Sequence, residues 1–176
     1  MAIKKAVQIG EPVIRKIAKK VTNPTSSSTH TIIKDLTDSM RSMGLVGMAA
    51  PQIGSGTRIF VVELRKTKAR KELEASALYT FINPKITSYS KKWVVGYEGC
   101  GSIAFGQLFG PVKRAQSVVV TATRADGKPF TLSAKGMLAR VIQHENDHLN
   151  GVMFLDKITD MRKLVSRNYF VKHKPK

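Results

Sequence analysis

Residues 136–151 read GMLARVIQHENDHLNG, and the spacing within them decides the centre of the fold. Met137, Val141, His144 and His148 fall at i, i+4, i+7 and i+11, the stripe of one helical face. Gln143, Asn146, Asp147 and Asn150 gather on the opposite side. Gly151 stands where a helix commonly closes in a left-handed turn. The pattern predicts a helix with two histidines on its apolar, inward face. Side chains four apart reach a common point, so H-E-x-x-H supplies two metal ligands, with Glu145 as general base. As a short motif it is weak evidence on its own. Here, however, three ionisable groups enter an apolar face, where each is costly to bury unpaired. A shared metal removes that cost.

A hydrolytic metal site usually takes three protein ligands and keeps one position for water. The downstream donors familiar from zinc proteases are missing. The last position of H-E-x-x-H-x-x-G-x-x-H is Phe154, and no glutamate follows Glu145. Asp156 and Asp160 remain as acidic candidates without motif support. The third ligand is therefore expected upstream. The single cysteine, Cys100 in YEGCGS, cannot form an internal disulfide. Its neighbours Gly99 and Gly101 suit a loop that approaches a ligand closely rather than a packed strand. A Cys-His-His set with one open position suits zinc or ferrous iron. The chain opens MAIKKAVQIG without an apolar signal core, and no stretch is long enough to span a membrane. With one cysteine, this fits a reduced, cytosolic compartment.

A third stretch, GLVGMAAPQIG at 44–54, is rich in small residues and contains Gln52, whose amide can donate a hydrogen bond. Read alone, it is a tight loop between a helix and a strand. Taken together, GMAAPQ (47–52), EGCGS (98–102) and QHENDH (143–148) resemble, in order and spacing, the motifs of the peptide deformylase family. The resemblance covers nearly the whole chain. It implies a metal-dependent hydrolase that removes the formyl group from the N-formylmethionine of nascent polypeptides and releases formate. It implies Cys100, His144 and His148 as metal ligands and Glu145 as the proton carrier. It also places Gln52 and the N–H of Gly101 at the oxyanion. Val46, Gly47, Gly99, Arg140 and Val141 match positions that shape the substrate cleft and its methionine pocket. Glu98 matches a glutamate that pairs with an arginine, here Arg114, and so fixes the loop that presents Cys100. One divalent ion per chain is implied, Fe2+ in the native state, with Zn2+, Ni2+ or Co2+ able to replace it. Two residues depart from the pattern: Leu45 stands where glycine is frequent, and Gly101 where leucine is common. The stretch from Cys100 to Arg114 is also slightly longer than in common bacterial members.

The rest of the chain fits one catalytic domain over residues 1–176, of the α+β class, with antiparallel or mixed sheets around the metal-binding helix. A helix is expected at about 30–43, after the polar loop PTSSST. Strands are expected at 58–64 and 77–84, with a hairpin turning near Asp126-Gly127. The tail MRKLVSRNYFVKHKPK reads as a short helix with a basic end. Thirty Lys and Arg against twelve Asp and Glu give a net charge of +18. That charge raises a rival reading, a nucleic-acid or ribosome-binding module with a structural metal site. The basic residues are scattered, apart from RKTKARK (65–71) and KHKPK (172–176), and no sequence-specific nucleic-acid motif is present. An H-E-x-x-H metallopeptidase is the alternative within enzymes. A basic surface also suits an enzyme that meets its substrates at the ribosome.

Overall fold

The computed structural model describes residues 3–66, 74–158 and 160–173. Its layering is set by the run IFVV of strand β2 (Ile59–Val62), buried at all four positions. Ile59 and Val61 join a cluster with Leu36 and Met40 of helix α2 (Ser27–Ser42). Phe60 and Val62 join a second cluster with Ala139 and Ile142 of helix α3 (Gly136–His148). A strand covered on both faces needs apolar residues at every position, which is why the run does not alternate. Phe60 stacks on Phe81 at 4.5 Å between ring centroids, on the α3 side.

Strand β2 lies in a five-stranded sheet with β1 (Gly47–Ala49), β3 (Tyr79–Tyr89), β6 (Ser117–Thr123) and β7 (Pro129–Lys135), in the order β1-β2-β3-β6-β7. A second sheet holds β4 (Trp93–Gly99), β5 (Leu108–Ala115) and β8 (Val165–Ser166). All these pairings are antiparallel. Among the described residues, the one parallel pairing is an isolated bridge, Lys19 to Thr57. Helix α3 touches β1, β2, β5, β6 and β7, so it lies between the two sheets. Short helices α1 (Pro12–Arg15) and α4 (Arg167–His173) complete the α+β fold.

Several boundaries differ from the sequence reading. Helix α2 starts at Ser27, because the hydroxyl of Ser26 accepts from the Thr29 N–H and caps it. Strand β3 runs past Pro84 to Tyr89 across a register shift. Asn83 absorbs the irregularity at φ 51°, its amide bonded both ways to the Val21 backbone at 2.8 and 2.9 Å. The hairpin β6–β7 turns at Asp126-Gly127 as expected, and Gly127 has φ +82°. Of RKTKARK, residues 67–71 lie outside the described residues, as does KPK at the end of the tail. Among the described residues, no helix is long and apolar enough to cross a membrane.

Candidate active site

Helix α3 brings His144, Glu145 and His148 to the seam between the sheets. The turn that follows it reaches Gly151, which has φ +70° and passes so close to α1 that a Cβ would lie 2.7 Å from the Arg15 carbonyl carbon. On the opposite side, β1 approaches α3 at Gly47. A Cβ there would lie 2.7 Å from Val141 Cγ1, 2.9 Å from Glu145 Cδ, and would overlap Glu145 Oε1. Glycine at 47 is thus what lets the strand close on the helix. Val46 is buried beside it.

Cys100 ends the run leaving β4. Its Sγ lies 3.3 Å from His148 Nε2, and the ligand atoms of Cys100, His144 and His148 all lie within 4.8 Å of one another. The two imidazoles stand edge to face, 4.9 Å apart. His144 Nδ1 meets Glu98 Oε2 at 2.9 Å, which turns its Nε2 toward the cluster. Glu98 in turn holds Arg114 through both oxygens at 2.9 Å, with both side chains 4% exposed. Arg114 also pairs with Asp147 of α3. Burial alone would raise the Glu98 carboxyl, but its bonds from Arg114 and His144 hold it well below the ordinary range. Burial disfavours the charged His144 ring, yet its bonds to Cys100 and Glu98 raise its pKa. Burial, helped by the charge on His144, keeps His148 neutral.

Among the described residues, Glu145 Oε2 and His148 Nδ1 are buried without a protein partner. Burial lifts the Glu145 carboxyl to about 7, with His144 pulling it back. One thiol and two imidazoles converging beside an unpaired buried carboxylate oxygen form a donor set that fits a divalent ion of the zinc or ferrous kind.

Gln52 is aimed by its own turn. Its Oε1 accepts the Ala49 N–H at 2.8 Å, which directs the NH2 group toward Cys100 Sγ (3.4 Å) and Ser102 Oγ (3.3 Å). The loop after Cys100 is tied at several points. Ile103 N–H donates to the Cys100 carbonyl at 3.1 Å and Ser102 N–H to Cys100 Sγ at 3.4 Å. The N-terminal segment clamps it from outside: Val7 N–H to the Gln52 carbonyl, Gln8 Nε2 to the Gly101 carbonyl, Ile9 N–H to the Ser102 carbonyl, at 2.8–3.0 Å. Among the described residues, the Gly101 N–H itself has no protein acceptor.

The structure brings together Gln52, Glu98, Cys100, Gly101, Arg114, His144, Glu145 and His148. Gly47 and Val141 adjoin Glu145. Gly99 packs over the Phe109 ring, 2.7 Å from where its Cβ would be. Arg140 lies behind β4, donating to Glu98 at 2.8 Å and to the carbonyls of Val94, Gly96 and Val112 at 2.9–3.2 Å. Asp156 pairs with Arg15 and Asp160 with Arg162, away from the cluster. Three residues were missed or misplaced in the sequence. Gln143, assigned to the polar side, is buried, and its amide bonds the Ala115 backbone both ways. Asp147, assigned to the same side, reaches Arg114. Gln8 carried no motif at all.

A family model, polypeptide deformylase, matches residues 3–164. Peptide deformylase 1 of Bacillus subtilis is 40% identical over 90% of this chain and 92% of its own length. The peptide deformylase of Symbiobacterium thermophilum is 39% identical over 92% of this chain and 70% of its own. Among solved structures, the class I type b peptide deformylase of Acinetobacter baumannii with Met-Ala-Ser bound superposes with a TM-score of 0.84. It is 28% identical and covers 89% of this chain and 99% of that one.

Proposed function

The chain belongs to the polypeptide deformylase family, and from that premise we propose how its own residues carry out deformylation of N-formylmethionyl peptides. The observation that carries the reading is the Cys100–His144–His148 cluster beside the unpaired, buried carboxylate oxygen of Glu145. In this reading those three residues hold one divalent ion, Fe2+ natively, with Zn2+, Ni2+ or Co2+ as replacements. When bound, such an ion supplies a Lewis acid and makes a water acidic enough to ionise near neutral pH.

The protein's own part follows from the geometry. Glu145 Oε2, buried and without a protein partner among the described residues, takes the proton of the attacking water and later returns it. As the C–O bond forms at the formyl carbon, the carbonyl electron pair moves onto oxygen. Gln52 Nε2 and the Gly101 N–H donate to that oxygen; the first gives up its long contacts, and the second has none to give up. The C–N bond then breaks, Glu145 returns its proton to the leaving nitrogen, and formate departs. Glu98 and Arg114 hold His144 and the strand that ends at Cys100. Val46, Gly47, Gly99 and Val141 shape the methionine pocket, and Arg140 supports it from behind β4. Residues 1–176 act as one catalytic domain.

The Met-Ala-Ser bound by the A. baumannii enzyme begins with methionine. Its N-formyl form is the substrate we expect here, as a stand-in for nascent chains. The test offers metal-loaded protein formyl-Met-Ala-Ser, Met-Ala-Ser and an unstructured protein. Formate from the first alone supports the reading. Internal cleavage of the third would favour a peptidase, and no turnover of any would overturn both.

A further inference from the structure

The two positions at which the motifs depart from the family pattern, far apart in sequence, meet in space. A Cβ on Gly101 would lie 3.2 Å from Leu45 Cδ1, and otherwise only near Ala6 Cβ at 3.7 Å. Gly101 is not in the left-handed region, so glycine is not demanded there by backbone conformation. What distinguishes the site is that its side-chain space is roofed by Leu45. Leu45 is itself firmly placed. Its N–H donates to the Met40 carbonyl at 2.9 Å and its carbonyl accepts from Arg65 Nη2 at 2.7 Å. Its side chain packs, partly buried, on the α2 cluster. The other ties on the loop hold the Cys100, Gly101 and Ser102 carbonyls and the Ser102 N–H. None of them holds the Gly101 N–H.

We infer that Leu45 is the positioning residue for the Gly101 N–H: it supplies, from the segment before β1, the packing that residue 101 lacks, so one side chain serves both positions. This rests on the oxyanion role proposed above for that N–H. Without Leu45 the glycine is free to rotate its peptide away from the reacting carbonyl. With a side chain at both positions, the two crowd each other and the loop shifts.

The experiment is a double-mutant cycle on metal-loaded protein, with Leu45→Ala, Gly101→Leu and the double variant, plus Leu45→Met as the conservative change. Leu45→Ala is expected to lower kcat on formyl-Met-Ala-Ser about tenfold, with KM and metal content little changed. Gly101→Leu is expected to lower kcat similarly. The double variant is expected to return to within about threefold of wild type, a coupling that independent sites do not show. Leu45→Met should retain near-normal kcat. Additive losses in the double variant, or unchanged kcat in Leu45→Ala, would overturn the inference. Melting temperatures and amide exchange at Gly101 in the metal-free proteins give a readout apart from turnover. Exchange should quicken in Leu45→Ala and slow again in the double variant. If wild type releases no formate, the proposed function fails; if it does and the cycle is additive, only the pairing fails.

Discussion

Glu145 is buried with Oε2 unpartnered, and burial lifts its carboxyl from the ordinary 4.5 to about 7. Because the folded value exceeds the unfolded one, the stability linked to this proton is full below about pH 4.5 and is lost as pH rises through about 7. In the metal-free protein that loss is on the order of 3 kcal/mol. Glu145→Gln has no such proton to lose. Its metal-free form is expected to melt higher than wild type near pH 8.5 and about equally near pH 5. Equal gains at both would deny the linkage. With metal bound, the same variant should retain its ion and lose most turnover, because the amide keeps the shape and removes the base. Gln52→Leu is expected to cost about two to three orders of magnitude in kcat with metal content unchanged, the effect of one lost oxyanion donor. Cys100→Ala, His144→Ala or His148→Ala should each abolish activity and release the ion, read by metal analysis after dialysis. Full occupancy in any of them would remove that residue from the ligand set.

The seam between β4, β5 and α3 depends on one buried ion cluster, Glu98 with Arg114, Arg140 and His144. Arg114→Met leaves Glu98 short of its main partner in a buried site and is expected to destabilise the fold by about 3–5 kcal/mol in urea titration. A loss below about 1 kcal/mol would mean the pair behaves as a solvent-exposed one. At the β1–α3 contact, Gly47→Ala must push the strand off Glu145 and Val141, and is expected to lower kcat/KM about a hundredfold or more. These elements were unequally legible in the sequence. That α3 brings His144 and His148 to one face was legible, because the helical period and the candidate ligand residues coincide. Gln143 and Asp147 were misread because a two-faced wheel assumes one wet side, whereas α3 is packed between two sheets. Strand β4 went unread: it carries two glycines and exposed Trp93 and Val95, so it shows neither alternation nor an apolar run. Its identity comes from the β5 partner, which lies in later sequence.

At the scale of the molecule, the net charge of +18 comes from basic residues scattered along the chain, apart from the clusters at 65–71 and 172–176. Any contact of these basic residues with ribosomes is expected to be a counterion-release interaction. In co-sedimentation, bound protein should fall steeply between about 50 and 200 mM salt. Salt-independent binding, or none at low salt, would discard it. The α+β class was readable because strand runs and turn signals precede one strongly patterned helix. The exact sheet order was not, since pairing joins segments that no local signal connects. The N-terminal clamp has its own consequence in the order of synthesis. Val7, Gln8 and Ile9 leave the ribosome before any of their partners, yet they bond Gln52, Gly101 and Ser102. At about 5–20 residues per second, the clamp waits roughly 5–20 s for the Cys100 loop. It waits longer still for α3, the last part of the site to emerge. Until then the backbone donors of Val7 and Ile9 and the amide of Gln8 lack these acceptors, so slow translation between the two would lengthen the time they spend open to other partners on the nascent chain.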